Sequence, residues 1–173
     1  MKPNLSLSEL LGWDGASPLR ADLHCHSIIS DGSFTSAELL AQAQAAGLTH
    51  LAITNHDTTA GFDDAAAAAQ ALSAVPGNEG SAVITYISGI EISAWNPASE
   101  RKVHILGLGL KENSPAIAAL CGPTLRARTE NTAWQQEQIE KAGYSLDYEL
   151  LKKLRAASTG FYKQHLMAAL TTA

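Results

Sequence analysis

The order of residues predicts an α/β fold, a βαβ-type parallel sheet or barrel with later helices packed outside it or inserted. Three observations carry this. Apolar runs of strand length recur four times before residue 111, and helical patterns separate the first three. After Pro115 every further pattern is helical. The composition, 46% hydrophobic and 17% charged over 173 residues, supplies enough apolar material for one domain core and excludes a disordered chain.

Residues 1–18 carry Pro3, Gly12, Gly15 and Pro18 and read as a short leader with little chemistry. Leu19 to Ser27 is a strand that ends where polar residues take over, with Asp31-Gly32 as a turn. Ser36 to Ala46 is a helix, capped by Thr35 or Ser36 and stopped by Gly47. Leu48 to Thr54 is a short apolar strand, and a helix follows through the alanine run to about Ala74. Pro76 to Ser81 reads as a loop. Val83 to Ile92 and Val103 to Leu110 are two further strands, separated by a polar loop around Asn96-Pro97. A long helix then runs from Pro115 to about Ala142, with Gly122-Pro123 as its candidate break and Gly143 as its stop. Two shorter helices are expected near Asp147–Ala156 and Tyr162–Leu170.

The net charge of −5 argues against a DNA-coating basic surface. That charge is unevenly spread. Residues 1–100 hold 2 basic and 11 acidic groups, and residues 101–173 hold 10 basic and 6 acidic ones. An acidic half suited to cations and a basic half suited to an anion is one reading; uneven surface charge is the other. Two cysteines, Cys25 and Cys121, make neither a disulfide framework nor a zinc knuckle, so a cytoplasmic location is expected. Ser6, Ser8, Glu9 and Asp14 interrupt any signal-like apolar run, and no stretch is long enough to span a bilayer, so no membrane partner is expected.

The chemistry collects near strand ends. His24 and His26 flank Cys25, and on a strand residues i and i+2 project from one face, so the two imidazoles converge. Asp31 follows in a turn that can fold its carboxylate back toward them. His56 stands in Ile53-Thr-Asn-His-Asp57, at the C-terminal end of an apolar strand, where barrels and open α/β sheets build their sites. Glu91 lies between two isoleucines, a costly place for an acid unless something cationic compensates it. His104 sits among apolar residues of the next strand. Each alone could be a core histidine or an edge charge. Together, imidazoles and carboxylates from four strands suit Zn, Mn or Fe.

These four motifs, Asp22-Leu-His-Cys-His-Ser27 with Ser30-Asp-Gly32, Ile53-Thr-Asn-His-Asp57, Gly89-Ile-Glu-Ile-Ser93 and Val103-His-Ile-Leu-Gly107, resemble those of the PHP (polymerase and histidinol phosphatase) family. Val103-His-Ile-Leu-Gly-Leu-Gly109, Arg126-Ala-Arg128 and His165 resemble its branch of nucleoside 3′,5′-bisphosphate phosphatases and 5′-3′ exoribonucleases. The resemblance implies the N-terminal part of a distorted seven-stranded (β/α) barrel, with residues 19–173 as an incomplete PHP domain whose 114–171 segment is mainly helical. It implies a centre of up to three divalent ions. His24 and His26 would bind the first, Glu91 would bridge the first and second, His104 would bind the second, and Asp31 and His56 the third. A water made hydroxide there would attack a nucleotide or short-RNA phosphate gripped by Arg126, Arg128, Lys163 and His165.

Two departures accompany the resemblance. Asn55 stands where the family usually has Asp, beside Asp57, and both are expected to act behind the ligands. Members of this branch also continue with a His-Pro segment and an Asp-x-His pair, which supply further ligands and strands. On that resemblance the chain is expected to be a fragment of a longer chain or a truncated gene product, completed by a C-terminal segment or a second chain. Three functions are therefore weighed: a nucleotide phosphoesterase, a histidinol-phosphatase-like enzyme for small monoesters, and a non-catalytic metal-binding remnant.

Overall fold

The computed structural model describes residues 6–16, 18–74 and 83–172. The loop expected from Pro76 to Ser81 lies outside the described residues. A four-stranded sheet is formed by β1 (Ala21–Cys25), β2 (His50–His56), β3 (Thr85–Asn96) and β4 (Arg101–Leu108), in spatial order β1-β2-β3-β4. The strands β1, β2 and β3 are parallel, while β3 and β4 form an antiparallel hairpin. The expected βαβ-type parallel sheet is formed by β1–β3, and β4 joins it antiparallel for a simple reason. Residues 97–100 alone connect β3 to β4, too short for the crossover that a parallel pair requires.

Between the parallel strands run α2 (Ser36–Ala45) and α3 (Phe62–Ser73), preceded in the chain by α1 (Leu7–Leu11). The α2 helix starts at a capping box in which Thr35 Oγ1 accepts from Glu38 N and the Glu38 side chain accepts from Thr35 N. The α3 helix has no cap of its own at Gly61; Glu112 reaches over from the loop after β4 and accepts from Gly61 N and Asp63 N. On one face of the sheet Leu51 and Ile53 pack with Leu40, Ala43, Ala65 and Ala69. On the other, Ala52 and Ile87 pack with Leu11. The expected leader thus contributes a core residue, and the Leu11 carbonyl accepts a hydrogen bond from buried His50 Nε2 at 2.9 Å.

The C-terminal third is α4 (Pro115–Lys141), α5 (Tyr148–Ala157) and α6 (Lys163–Thr171). A separate cluster of Leu146, Leu151, Phe161, Leu166 and Ala169 holds α5 and α6 together. The α4 helix continues through Gly122-Pro123 rather than breaking there. Pro123 lacks the N–H that would bond Ala119 O, but both residues are exposed, so water can satisfy the freed carbonyl. No helix among the described residues is long and apolar enough to cross a membrane.

Candidate metal centre and cleft

The register of the sheet assembles the site. His56 is the last residue of β2 and pairs with Glu91, where the parallel part of the sheet stops. On the hairpin His104 lies opposite Ser93, two residues beyond Glu91 on the same strand face. His24 is in β1, and His26 lies just past its end rather than within it. The rings still converge. Gly32 makes this possible: a Cβ there would stand 2.1 Å from His26 O, so only glycine lets residues 27–32 fold so closely upon the strand end. That fold brings Asp31 Oδ1 to 3.3 Å from His26 Nδ1.

Glu91 is the centre. Its Oε2 is 3.0 Å from His24 Nε2, 3.0 Å from His26 Nε2 and 3.4 Å from His56 Nδ1, while Oε1 meets His104 Nδ1. Three overlapping triads result, His24–His26–Glu91, His26–Asp31–His56 and His56–Glu91–His104, with ligand atoms in each within 4.8 Å of one another.

Proton bookkeeping among these groups tests whether they fit a cation. Burial pushes the His26 and His56 imidazoles toward their neutral forms, against the pull of Asp31 and Glu91. A neutral imidazole carries one N–H. Both nitrogens of His26 face carboxylate oxygens, and so do both of His56, whose Nε2 is 3.6 Å from Asp31 Oδ2. One nitrogen of each neutral ring therefore confronts a carboxylate oxygen with no proton between them. His56 Nδ1 is buried and makes no hydrogen bond among the described residues, although Glu91 Oε2 lies 3.4 Å away. Burial opposes charge on Glu91, yet hydrogen bonds from His24 and His104 hold its carboxyl below the usual range, leaving an acceptor-only centre. Cations among these lone pairs resolve the conflict, and the donor set fits a divalent-metal centre.

Behind these groups lies a supporting layer. Asn55 is buried; its Oδ1 accepts from Ser27 N at 2.8 Å and Ser30 Oγ at 3.0 Å, and its Nδ2 donates to Ser27 Oγ. It fastens the turn that carries His26 and Asp31. Asp57 is buried in the left-handed region at φ 57°, a conformation that Asp tolerates. Its Oδ1 accepts from Ser93 N, and its Oδ2 accepts from Arg128 Nη2 at 2.8 Å.

Beside the centre opens a cleft of about 740 Å³ between the hairpin and helices α4 and α6, lined among others by His56, His104, Arg128 and Lys163. Of the cations expected to hold phosphate, Arg128 and Lys163 reach this cleft. Arg126 does not; two positions from Arg128 on α4, it is exposed and outside the lining. His165 is likewise turned away from ligand duty. It is buried, its Nε2 donates to Ser30 O at 3.1 Å, and its Nδ1 accepts from Tyr162 N.

Sequence reasoning missed Tyr162 and Ser93. Tyr162 Oη donates to His56 O at 3.2 Å, and its ring lies 5.3 Å under the Arg128 guanidinium; burial pushes its phenol up to about 12, so it stays a donor. Ser93 Oγ accepts from Arg128 Nη2 at 2.6 Å. Its position in Gly89-Ile-Glu-Ile-Ser93, two beyond Glu91, was the available signal.

Imidazoles and carboxylates gathered where the parallel strands of a mixed sheet end, and on the adjoining hairpin, form a candidate divalent-metal site on an α/β scaffold. The chain belongs to the PHP domain family, which matches residues 22–172. It is 48% identical over 151 residues to a phosphoribosyl 1,2-cyclic phosphate 1,2-diphosphodiesterase of Eggerthella lenta, covering 87% of this chain and 54% of that protein. It is 37% identical over 123 residues to a 3′,5′-nucleoside bisphosphate phosphatase of Chromobacterium violaceum, covering 70% and 39%. Among solved structures, an amidohydrolase from Chromobacterium violaceum with bound sulfate superposes with a TM-score of 0.69 at 29% identity, covering 88% of this chain and 50% of that one. The chain spans about half the length of the curated relatives it matches.

Proposed function

We propose that the chain carries the metal-binding and phosphate-gripping part of a metal-dependent phosphoesterase that hydrolyses a phosphate monoester of a nucleotide or trims short RNA from the 5′ end. The observation that carries this is the convergence of four imidazoles on the buried Glu91 carboxylate, beside a cleft whose wall bears Arg128 and Lys163. His24, His26, Asp31, His56, Glu91 and His104 would hold up to three ions, of which Mn, Zn and Fe suit the donors. Such ions polarise a phosphoryl oxygen and lower the pKa of a bound water.

The remaining work falls to the protein's own groups. Asn55 and Gly32 keep the His26–Asp31 turn closed, so that both side chains face Glu91 without rearrangement. Asp57 and Ser93 hold one edge of the Arg128 guanidinium, which fixes its plane and lowers the entropy lost when it binds an anion. Lys163, exposed at the start of α6, adds a mobile positive charge at the cleft.

A second reading rests on the similarity to the Eggerthella lenta diphosphodiesterase, which favours a cyclic phosphodiester of a ribose phosphate as substrate. Assays of the Mn- or Zn-loaded chain separate these readings. Phosphate release from adenosine 3′,5′-bisphosphate, lost with chelator and with Glu91→Gln, is the expected result. Ring opening of a ribose 1,2-cyclic phosphate in its place supports the second reading. Full metal loading with neither activity leaves the metal-binding remnant.

A further inference from the structure

The outer half of the cleft has a different chemistry from its inner half. Along β3, Glu91, Ser93 and Trp95 share one face, and across the hairpin Ser93 pairs with His104 and Trp95 with Lys102. Trp95 therefore stands one pleat, about 7 Å, beyond the level of His104. It lines the cleft, yet the residue is 57% exposed, which leaves much of a large indole open to solvent. The opposite wall is α4, which presents Asn131 and Gln135, one turn apart. Neither side-chain amide makes a hydrogen bond among the described residues.

An uncovered aromatic face, two unengaged amides and a lysine make a site for a flat heterocycle with hydrogen-bonding edges. We infer that Trp95 is a stacking platform for the base of a nucleotide whose phosphate lies at the Glu91 centre, with Asn131 and Gln135 along the base edge. This rests on the phosphoesterase reading above and commits it to a base-bearing substrate. Trp95 is two pleats past Glu91 but only one past His104, the near edge of the centre, and that step is the reach of a ribose. Stacking on an indole tolerates any base, so the platform selects nucleotides over bare sugar phosphates without choosing among bases.

The test compares the Mn-loaded full chain with Trp95→Ala and Trp95→Phe by calorimetric binding, and by KM and kcat. The two ligands are adenosine 3′,5′-bisphosphate and ribose 5-phosphate. Trp95→Ala is expected to weaken bisphosphate binding about tenfold or more, with kcat preserved and ribose 5-phosphate binding within about twofold. Trp95→Phe keeps an aromatic face and should restore most of the affinity. Equal losses on both ligands, or no loss on either, overturn the platform while leaving the phosphoesterase reading intact. Wild-type chain that neither binds nor hydrolyses either compound overturns that reading, and the platform with it.

Discussion

Arg128 Nη2 donates to Asp57 Oδ2 at 2.8 Å, and this pair joins helix α4 to the end of β2 across 71 residues of sequence. The partners are unequal: the Asp57 side chain is fully buried, while the Arg128 side chain is 27% exposed. Removing the arginine strands a carboxylate in the interior, whereas neutralising the aspartate leaves a guanidinium that can reach water. Arg128→Ala should therefore cost about 3 kcal/mol or more, and Asp57→Asn about 1 kcal/mol. Asn also tolerates the left-handed backbone at this position. Urea denaturation of both variants checks the order; equal costs would mean that the buried carboxylate is satisfied by Ser93 N alone.

Gly32 governs the turn that brings Asp31 to His26. Alanine there would drive a methyl group into the His26 carbonyl, a backbone contact that no side-chain rotation relieves. Gly32→Ala is expected to open the turn, lower stability by about 2 kcal/mol and reduce metal stoichiometry. Asn55→Ala removes the other fastening of that turn and should act in the same direction. Elemental analysis beside a denaturation curve distinguishes a folded protein lacking part of its metal from an unfolded one.

The candidate ligands were legible because each stood in a short motif on or just after a strand, where a period of two decides which side chains share a face. His24 and His26 converge as that period predicts, although the strand stops at Cys25 and the turn does the rest. What depends on distant partners was less accessible. The Ser6–Glu9 capping box and Gly12 mark α1 locally, yet nothing in Leu7–Leu11 announces that Leu11 will pack on Ala52, a contact that only the tertiary fold supplies. Arg126 and Arg128 look equivalent in sequence, and helical phase together with Asp57 decides which enters the cleft. His165 carried the right residue type, yet the Ser30 carbonyl and the Tyr162 N–H engage both its nitrogens.

His165 has a consequence for pH. Burial pushes its imidazole below the ordinary value of 6.5, helped by Arg155 and opposed by the hydrogen bond to Ser30 O and by Asp31. The unfolded chain then takes up the proton more readily than the folded one, so stability falls as pH drops below about 6.5. The loss stops growing once pH is below the folded-state value. Burial shifts His26 and His56 the same way, so the metal-free chain should lose stability steeply between pH 7 and pH 5. His165→Gln should remove one share of that slope. Denaturation midpoints in chelator at the two pH values measure it, and an unchanged slope would assign the effect to the other two histidines.

Metal loading gives the most direct prediction. Ions that bind the folded chain and not the unfolded one stabilise it, by about 2.7 kcal/mol at a hundredfold excess over the dissociation constant. Mn or Zn should therefore raise the melting temperature, and chelator should reverse the rise. Glu91 belongs to two of the three triads and His104 to one, so their substitutions should differ. Glu91→Gln keeps the shape but loses the charge shared among four imidazoles, and should abolish most of the metal-dependent shift. His104→Ala leaves His24–His26–Glu91 and His26–Asp31–His56 intact and should lose only part of it. A full shift retained by Glu91→Gln would show that the carboxylate is not the centre of the site, and that metal is held by the His26–Asp31–His56 triad alone.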